Sequence, residues 1–365
     1  MFYRVIGIMS GSSLDGLDIA FIEFEESGGK WNFEIKAAAC KPYNKEWKDR
    51  LLNATTLSAR DYVLLHAEYG KYIGTEVNAF IDDYALHHKV QVIASHGHTT
   101  FHEPRIGVTA QLGDGAAIAA STQTNVVSDL RALDVAFGGQ GAPIVPIGER
   151  LLFGEYQLCL NIGGIANISY KGDGGYVAFD VCAANRVMNM LAQFEGKEYD
   201  AGGHIAASGS VDAALLHRLN SLEYYTLPHP KSLANSFGTD EVFPIVQSFS
   251  LPVADKLRTY AEHIATQVFL SLQGLLSKDN DTPIRMLVTG GGAFNSFLVE
   301  RLRQMLAALN IELAVPDAML INYKEALVMA LIGVLRWREE YNVLSTVTGA
   351  TRSSIGGAVW IGQEA

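Results

Sequence analysis

The chain has 365 residues, 48% of them hydrophobic and 18% charged, a composition that folds, and at roughly 100–200 residues per domain its length suggests two domains. The formal net charge of −11 leaves no basic surplus to neutralise phosphates, which argues against a general nucleic-acid or anionic-membrane binder but not against small anions held by backbone N–H groups. Three scattered cysteines, Cys40, Cys159 and Cys182, suit neither a disulfide scaffold nor a thiolate zinc site. The opening MFYRVIGIMSGSS lacks the basic stretch and long apolar run of a secretory leader. No apolar stretch reaches the roughly 20 residues of a membrane span, so a soluble, cytoplasmic protein is expected.

In chain order, residues 3–9 read as a strand stopped by Ser10-Gly11-Ser12-Ser13, and 17–24 as the return strand of a hairpin. Residues 61–86 carry helical periodicity, with Leu64, Leu65, Tyr72, Ile73, Val77 and Phe80 on one face. A short buried strand over 90–94 ends at Ser95-His96-Gly97, a helix is expected over 114–123, and a strand over 125–128. The Gly/Pro-rich run from Phe137 to Pro146 is a break and a plausible domain boundary. The same grammar then restarts. Strands are expected at 157–161, 165–170 and 175–179, a long helix at 261–276, and a strand at 285–288 running into Gly290-Gly291-Gly292. Helices follow at 297–309 and 324–341. The expected division is a first domain over 1–140 completed by 340–365, and a second over 141–339.

Three glycine turns at strand ends stand out: Gly11-Ser12-Ser13-Leu14-Asp15-Gly16, Gly163-Gly164, and Gly290-Gly291-Gly292. Each removes Cβ bulk and lets backbone N–H groups point at a ligand, most often a phosphate. None matches the P-loop or the dinucleotide fingerprint. One such turn alone is commonly just a tight turn. All three in this order in a duplicated α/β chain point to the two-lobed actin-like (ribonuclease H-like) ATPase fold, with a duplicated mixed sheet flanked by helices and a central cleft. His96, His98 and His102 share an H-x-H-x3-H spacing, but Gly97 and the following threonines suit a strand-end loop better than a metal site.

The run from Met9 to Asp18, MSGSSLDGLD, closely resembles the opening of the anhydro-N-acetylmuramic acid kinases. So do Ser95-His96-Gly97-His98-Thr99 with His102-Glu103-Pro104, the stretch Gln111 to Asp114, and Asp129 with Arg131. Gly138 to Pro143 (GGQGAP), Asn161 to Asn167 (NIGGIAN), Gly290 to Gly292, Glu325-Ala326 and Val347 to Ala350 complete an ordered series covering nearly the whole chain. The resemblance implies an ATP- and Mg²⁺-dependent kinase of peptidoglycan recycling. It would open the 1,6-anhydro bond of anhydro-N-acetylmuramic acid and phosphorylate O6, as a cytoplasmic homodimer with no nucleic-acid or membrane partner.

Under that resemblance Asp180 is the base that activates water. Gly11, Ser12, Ser13, Leu14, Asp15, Gly16 and Asp18, with Gly163, Gly164 and Gly290 to Gly292, bind ATP and its phosphates. Asp15, Asp18 and Glu325 are the metal candidates, and His96, Asp129, Arg131 and Asn185 the substrate candidates. Arg131 would grip the lactyl carboxylate or a hydroxyl; Asp129 would orient it or bind sugar hydroxyls. The chain departs from the family pattern at Val181-Cys182-Ala183-Ala184, where Thr-Gly-Pro-Gly is expected, and at Asn235 and Ser236, where Arg and Glu are expected. These departures keep two alternatives open: an impaired paralogue acting as a nucleotide-binding switch, and a kinase for another anhydrosugar.

Overall fold

Apolar runs bounded by turn residues make the first strands. Val5, Ile6 and Ile8 on β1 (Phe2–Ser10) are fully buried, as are Leu17, Ile19 and Ile22 on β2 (Gly16–Ser27), so this hairpin is covered on both faces. The computed structural model describes residues 1–11, 13–172, 175–229, 231–234, 236–276 and 282–363. It divides into two compact units, Met1–Gly154 with Tyr323–Ala365, and Glu155–Asn322.

In the first unit β1, β2 and β3 (Lys30–Pro42) form an antiparallel meander. β4 (Val92–Glu103) lies parallel to β1, and β5 (Val108–Leu112) folds back on β4. β6 (Asn125–Ser128) lies parallel to β4. In the second unit β7 (Leu158–Ile162), β8 (Ile165–Gly172) and β9 (Gly175–Ala183) make another meander. β10 (Ile284–Thr289) lies parallel to β7, and β11 (Ile311–Ala314) parallel to β10. β12 (Ala358–Trp360) returns to the first sheet, antiparallel to β6. The sheet orders β3-β2-β1-β4-β6 and β9-β8-β7-β10-β11 therefore repeat one topology. This is the duplicated mixed sheet of the actin-like, ribonuclease H-like fold.

Helix Ala59–Asp83 begins where the Ser58 hydroxyl caps the Asp61 amide, and buries Tyr69, Ile73, Val77 and Phe80 against Ile6, Ile8, Leu17 and Ile19. Helix Ala318–Trp337 lies so close to β1 that a Cβ on Gly7 would meet the Ala326 carbonyl oxygen. That helix is 20 residues long with a mean hydropathy of 1.6 over its most apolar window, so one apolar stretch does reach membrane-span length; 67% of that window is buried inside the protein, the pattern of a core helix. In the second unit helix Val253–Gln273 starts well before the expected 261. Its Leu257, Tyr260, Ile264 and Val268 pack into the core with Leu158, Leu160 and Ile168.

The units divide at 154/155 and 322/323, where the sequence reading placed boundaries at 140/141 and 339/340. Helix Pro146–Leu152 stays with the first unit because Glu149 pairs with Lys324 at 2.7 Å, both side chains buried, and Gly148 packs against Val328.

Candidate active site

In the first unit β1 and β6 end in Ser10 and Ser128, and the parallel pairing of β4 with β1 stops at His98. Loops at the carboxyl ends of such strands are where α/β sheets bind ligands. Leu14 adopts φ 57°, and its amide reaches the Gly11 carbonyl at 3.4 Å. Ser12 lies outside the described residues. Gly16 closes the turn where β2 meets β3: a Cβ there would stand 2.6 Å from the Cys40 Sγ and 2.7 Å from the Lys41 carbonyl oxygen. Asp18 is the cross-strand partner of Cys40. Burial pushes the Asp18 carboxyl up to about 6; the Cys40 thiol opposes this by hydrogen bonding to it, while Glu325 and Asp15 add negative charge that raises it further. Burial also raises Glu325, against the pull of Lys324 and Arg131.

The negative charge that Glu325 and Asp15 place on Asp18 makes a field that suits a cation. Among the described residues no three His, Cys, Asp or Glu side chains converge as a ready-made metal cage. Mg²⁺ fits such a place, because it keeps several waters and takes one or two carboxylates together with substrate phosphates.

Arg131 is held from two sides. Its Nε donates to His96 Nε2 at 2.8 Å and its Nη1 to the Gly141 carbonyl at 2.8 Å. His96 in turn makes a hydrogen bond from Nδ1 to the Gly97 carbonyl at 2.8 Å. Burial, helped by the Arg131 charge, holds His96 at about 3, so the ring is neutral and its Nε2 free to accept. Burial lowers Arg131 to about 10, and Glu325 opposes that shift. The orienting groups are thus His96 and the Gly141 carbonyl; no ion pair joins Asp129 to Arg131 among the described residues. Asp129 instead sits just beyond β6 at φ 57°, a conformation non-glycine residues seldom adopt and one that clusters at functional sites. Burial raises its carboxyl, and His66 opposes the shift.

The buried Asp134 explains why three separate motifs belong together. Its carboxylate accepts from the Gly141 amide at 2.8 Å and from the Thr348 hydroxyl at 2.8 Å, while the Gln140 amide donates to the Thr348 carbonyl. The Gly138–Pro143 loop, the Val347–Ala350 turn and Arg131 are therefore one scaffold. A cavity of about 350 Å³ in the same unit is lined by His66, Ser95, His96, Gln111, Asp114, Asp129 and Trp360, among others. His98 lies behind it in a buried group: the Ser10 hydroxyl contacts His98 Nδ1, Tyr43 and Tyr69 at 2.8–3.2 Å.

In the second unit the other two glycine turns come together. The Ala184 amide donates to the Gly164 carbonyl at 2.8 Å, and the Asn185 amide to the Gly163 carbonyl at 3.0 Å. Asn185 Nδ2 donates to the Ile162 carbonyl at 2.9 Å, and Asn185 borders Gly291 and Gly292. Gly290 has φ 80°, and a Cβ there would lie 2.7 Å from both Asn161 Oδ1 and the Ile162 carbonyl. Asn185, expected at the substrate, is thus built into the glycine-turn platform.

Asp180 lies on β9 beside an irregularity: Asn167 pairs with Asp180 and Ala166 with Cys182, so Val181 is the extra residue of a bulge. Bulges re-aim side chains and recur beside active sites. Asp180 Oδ2 accepts from the Leu233 amide at 2.8 Å, and no described residue bonds Oδ1. The Asp180 amide donates to the Lys231 carbonyl, and the Tyr224 hydroxyl donates to the Asp180 carbonyl at 2.7 Å. Burial raises the Asp180 carboxyl; the Leu233 hydrogen bond opposes it. The four residues replacing Thr-Gly-Pro-Gly are all buried, and the Tyr260 hydroxyl holds the Ala183 carbonyl at 2.8 Å. Cys182 is fully buried and its thiol is pushed far up by desolvation, so it is unreactive. Asn235 lies outside the described residues. Tyr224 and Asp134 carry no sign of their role in the sequence, since no local pattern announces a hydrogen bond to a distant residue.

The family model described as anhydro-N-acetylmuramic acid kinase matches residues 3–362. An anhydro-N-acetylmuramic acid kinase of Synechococcus elongatus is 32% identical over 98% of this chain and 99% of its own length. One of Vibrio cholerae is 35% identical over 97% of each, and one of Gloeobacter violaceus 32% identical over 95% of this chain and 96% of its own.

Proposed function

The chain belongs to the anhydro-N-acetylmuramic acid kinase family, and on that premise we propose that it uses ATP and water to convert 1,6-anhydro-N-acetylmuramic acid to N-acetylmuramic acid 6-phosphate. The observation that carries the mechanism is the setting of Asp180. One carboxylate oxygen is fixed by a backbone amide, the other has no partner among the described residues, and burial raises the group's basicity.

Asp180 takes a proton from water as the water oxygen bonds to C1. The C1–O6 bond breaks and its electron pair passes to O6. O6 then attacks the γ-phosphorus of ATP, and ADP leaves. A base with raised proton affinity is suited to this task near neutral pH. Arg131, fixed by His96 and the Gly141 carbonyl, offers its Nη2 to an anionic or hydroxyl group of the sugar. The turn from Gly11 to Asp15 takes the phosphates, with further backbone N–H groups from Gly163, Gly164 and Gly290 to Gly292. Asp18, with Asp15 and Glu325, would hold Mg²⁺, which when bound offsets negative charge on the transferring phosphoryl group. The same reading takes a homodimer as the assembly and the cytoplasm as the compartment.

The test is turnover in H₂¹⁸O, with products read by mass spectrometry. One ¹⁸O atom is expected in the sugar and none in the phosphate. Asp180→Asn should lower kcat about 10²–10⁴-fold with the fold intact, the range that general-base catalysis contributes. Label in the phosphate, or an Asp180→Asn enzyme with normal kcat, would overturn the assignment.

A further inference from the structure

The second unit buries a histidine that takes no part in the steps above. His263, on helix Val253–Gln273, is fully buried, and desolvation holds its ring at about 3, so it is neutral. Its hydrogen bonds have one consistent direction. Gln267 Nε2 donates to Asn220 Oδ1 at 2.9 Å, which makes that oxygen an acceptor. His263 Nδ1, 2.6 Å from the same oxygen, therefore carries the ring proton. Nε2 is then bare and accepts from the Tyr225 hydroxyl at 3.0 Å.

This chain of bonds ends in the turn Glu223–Thr226, which also carries Tyr224. The Tyr224 hydroxyl is the donor to the Asp180 carbonyl, and the Tyr224 carbonyl accepts from Lys231 Nζ at 3.2 Å. The ammonium group of Lys231 stands 4.6 Å from the Tyr224 ring centroid, and the Lys231 carbonyl takes the Asp180 amide at 3.1 Å. On the far side of the Val181 bulge the Tyr260 hydroxyl holds the Ala183 carbonyl. Two tyrosine hydroxyls thus pin the main chain on either side of the bulge. The His263 ring packs near both of their supports, 5.1 Å from the Tyr225 ring and 5.5 Å from that of Tyr260. The bulge lies in the segment where the chain departs from Thr-Gly-Pro-Gly.

A bulge sets where its side chains point, and misplacing a catalytic group by about 1 Å can cost about a hundredfold in rate. Resting on the reading of Asp180 as the base, we propose that His263 is a positioning residue for it. Through Tyr225 it fixes the Glu223–Thr226 turn, and through that turn and Tyr260 it sets the aim of the Asp180 carboxylate. Being fully buried, His263 has no surface to offer a ligand, so it acts through Asp180.

The experiment measures kcat and the KM for ATP and for anhydro-N-acetylmuramic acid in wild type, His263→Phe, His263→Gln and Tyr225→Phe. Each substitution is also made in the Asp180→Asn background, and unfolding midpoints are taken in parallel. His263→Phe is expected to lower kcat about ten- to a hundredfold with the KM for ATP unchanged. His263→Gln keeps an acceptor for Tyr225 and a donor for Asn220, and should recover most of that loss. Tyr225→Phe removes one hydroxyl, keeps the ring and should act in the same direction; it decides the matter if His263→Phe does not fold. In the Asp180→Asn background neither substitution should lower kcat further, because the base they place is already gone. Loss by the same factor in both backgrounds, wild-type kcat in His263→Phe and Tyr225→Phe, or no recovery in His263→Gln overturns the positioning role and leaves the base assignment standing. Normal kcat in Asp180→Asn overturns the base assignment and this inference with it.

Discussion

The two sheets share one topology, yet their first glycine turns differ in how firmly the described residues brace them. In the first unit the turn after β1 is barely tied. Its described contacts are the 3.4 Å bond from the Leu14 amide to Gly11 and a 3.4 Å bond from the Tyr43 amide to Asp15, and Ser13 and Asp15 are exposed. In the second unit the turn after β7 is cross-braced. Asn185 and Ala184 bind it through backbone and side chain, and Gly290 is wedged against Asn161 and Ile162. Duplication preserved the hairpin, while hydrogen bonds among the described residues brace the second turn more closely than the first.

Paired glycine substitutions break or uphold this contrast most directly. Gly290→Ala places a methyl 2.7 Å from two oxygens at a positive φ and should destabilise the protein by about 3 kcal/mol, from overpacking together with left-handed backbone strain. Gly11→Ala meets nothing closer than the Ser13 hydroxyl at 3.7 Å and should change stability by less than about 0.5 kcal/mol. Its effect should appear in ATP affinity. Urea unfolding and nucleotide titration of both variants check this; equal destabilisation by the two would mean that the turns are equally constrained.

Much of this architecture is legible in the sequence because period and punctuation carry it. The apolar run over 3–9 and its Ser/Gly stop correspond to β1, and the repeated hairpin foretold the second sheet. β3 escaped notice because an edge strand such as KWNFEIKAAACKP mixes Lys, Glu and small residues and shows no clean alternation. The start of helix Val253–Gln273 was hidden for a similar reason: the polar Ala254-Asp255-Lys256 turn follows Pro252 without an apolar stripe. The candidate residues Asp18, Arg131 and Asp180 lie in motifs. Their supports do not: Asp134 and Tyr224 act on residues close in space, and one sequence carries no sign of that proximity.

Acid titration probes the contrast on the carboxylate side. Burial pushes the Asp18 carboxyl up from an ordinary 3.8 to about 6, so the group favours the folded state when protonated. Its stabilising contribution is full below about pH 4 and is lost as pH rises through 6, about 3 kcal/mol in all for a shift of roughly two units. Protons also compete with a cation for this group, so Mg-ATP affinity should weaken as pH falls below about 6. Comparing urea midpoints at pH 4.5 and 7 for wild type and Asp18→Asn isolates the contribution. If both proteins show the same pH dependence, the carboxylate is not strained by burial.

The finest adjustment to Asp18 comes from Cys40, directly across from it on β3. The thiol donates to the carboxylate and so favours its ionised form, partly offsetting burial, Glu325 and Asp15. A thiol is a weak donor, so its removal should be felt as a fraction of a pK unit. Cys40→Ala is expected to move the Asp18 midpoint upward and Mg-ATP binding toward higher pH, whereas Cys40→Ser restores a donor and moves both back. Asp180 offers the contrasting case, since its carboxylate is held by the Leu233 backbone amide, which no side-chain substitution removes. The carboxylate of the first unit is thus tuned by a replaceable side chain, and that of the second unit by the main chain. A Cys40→Ala protein whose Asp18 midpoint, followed by carboxyl ¹³C chemical shift, does not move would show that burial and neighbouring charge alone set the group.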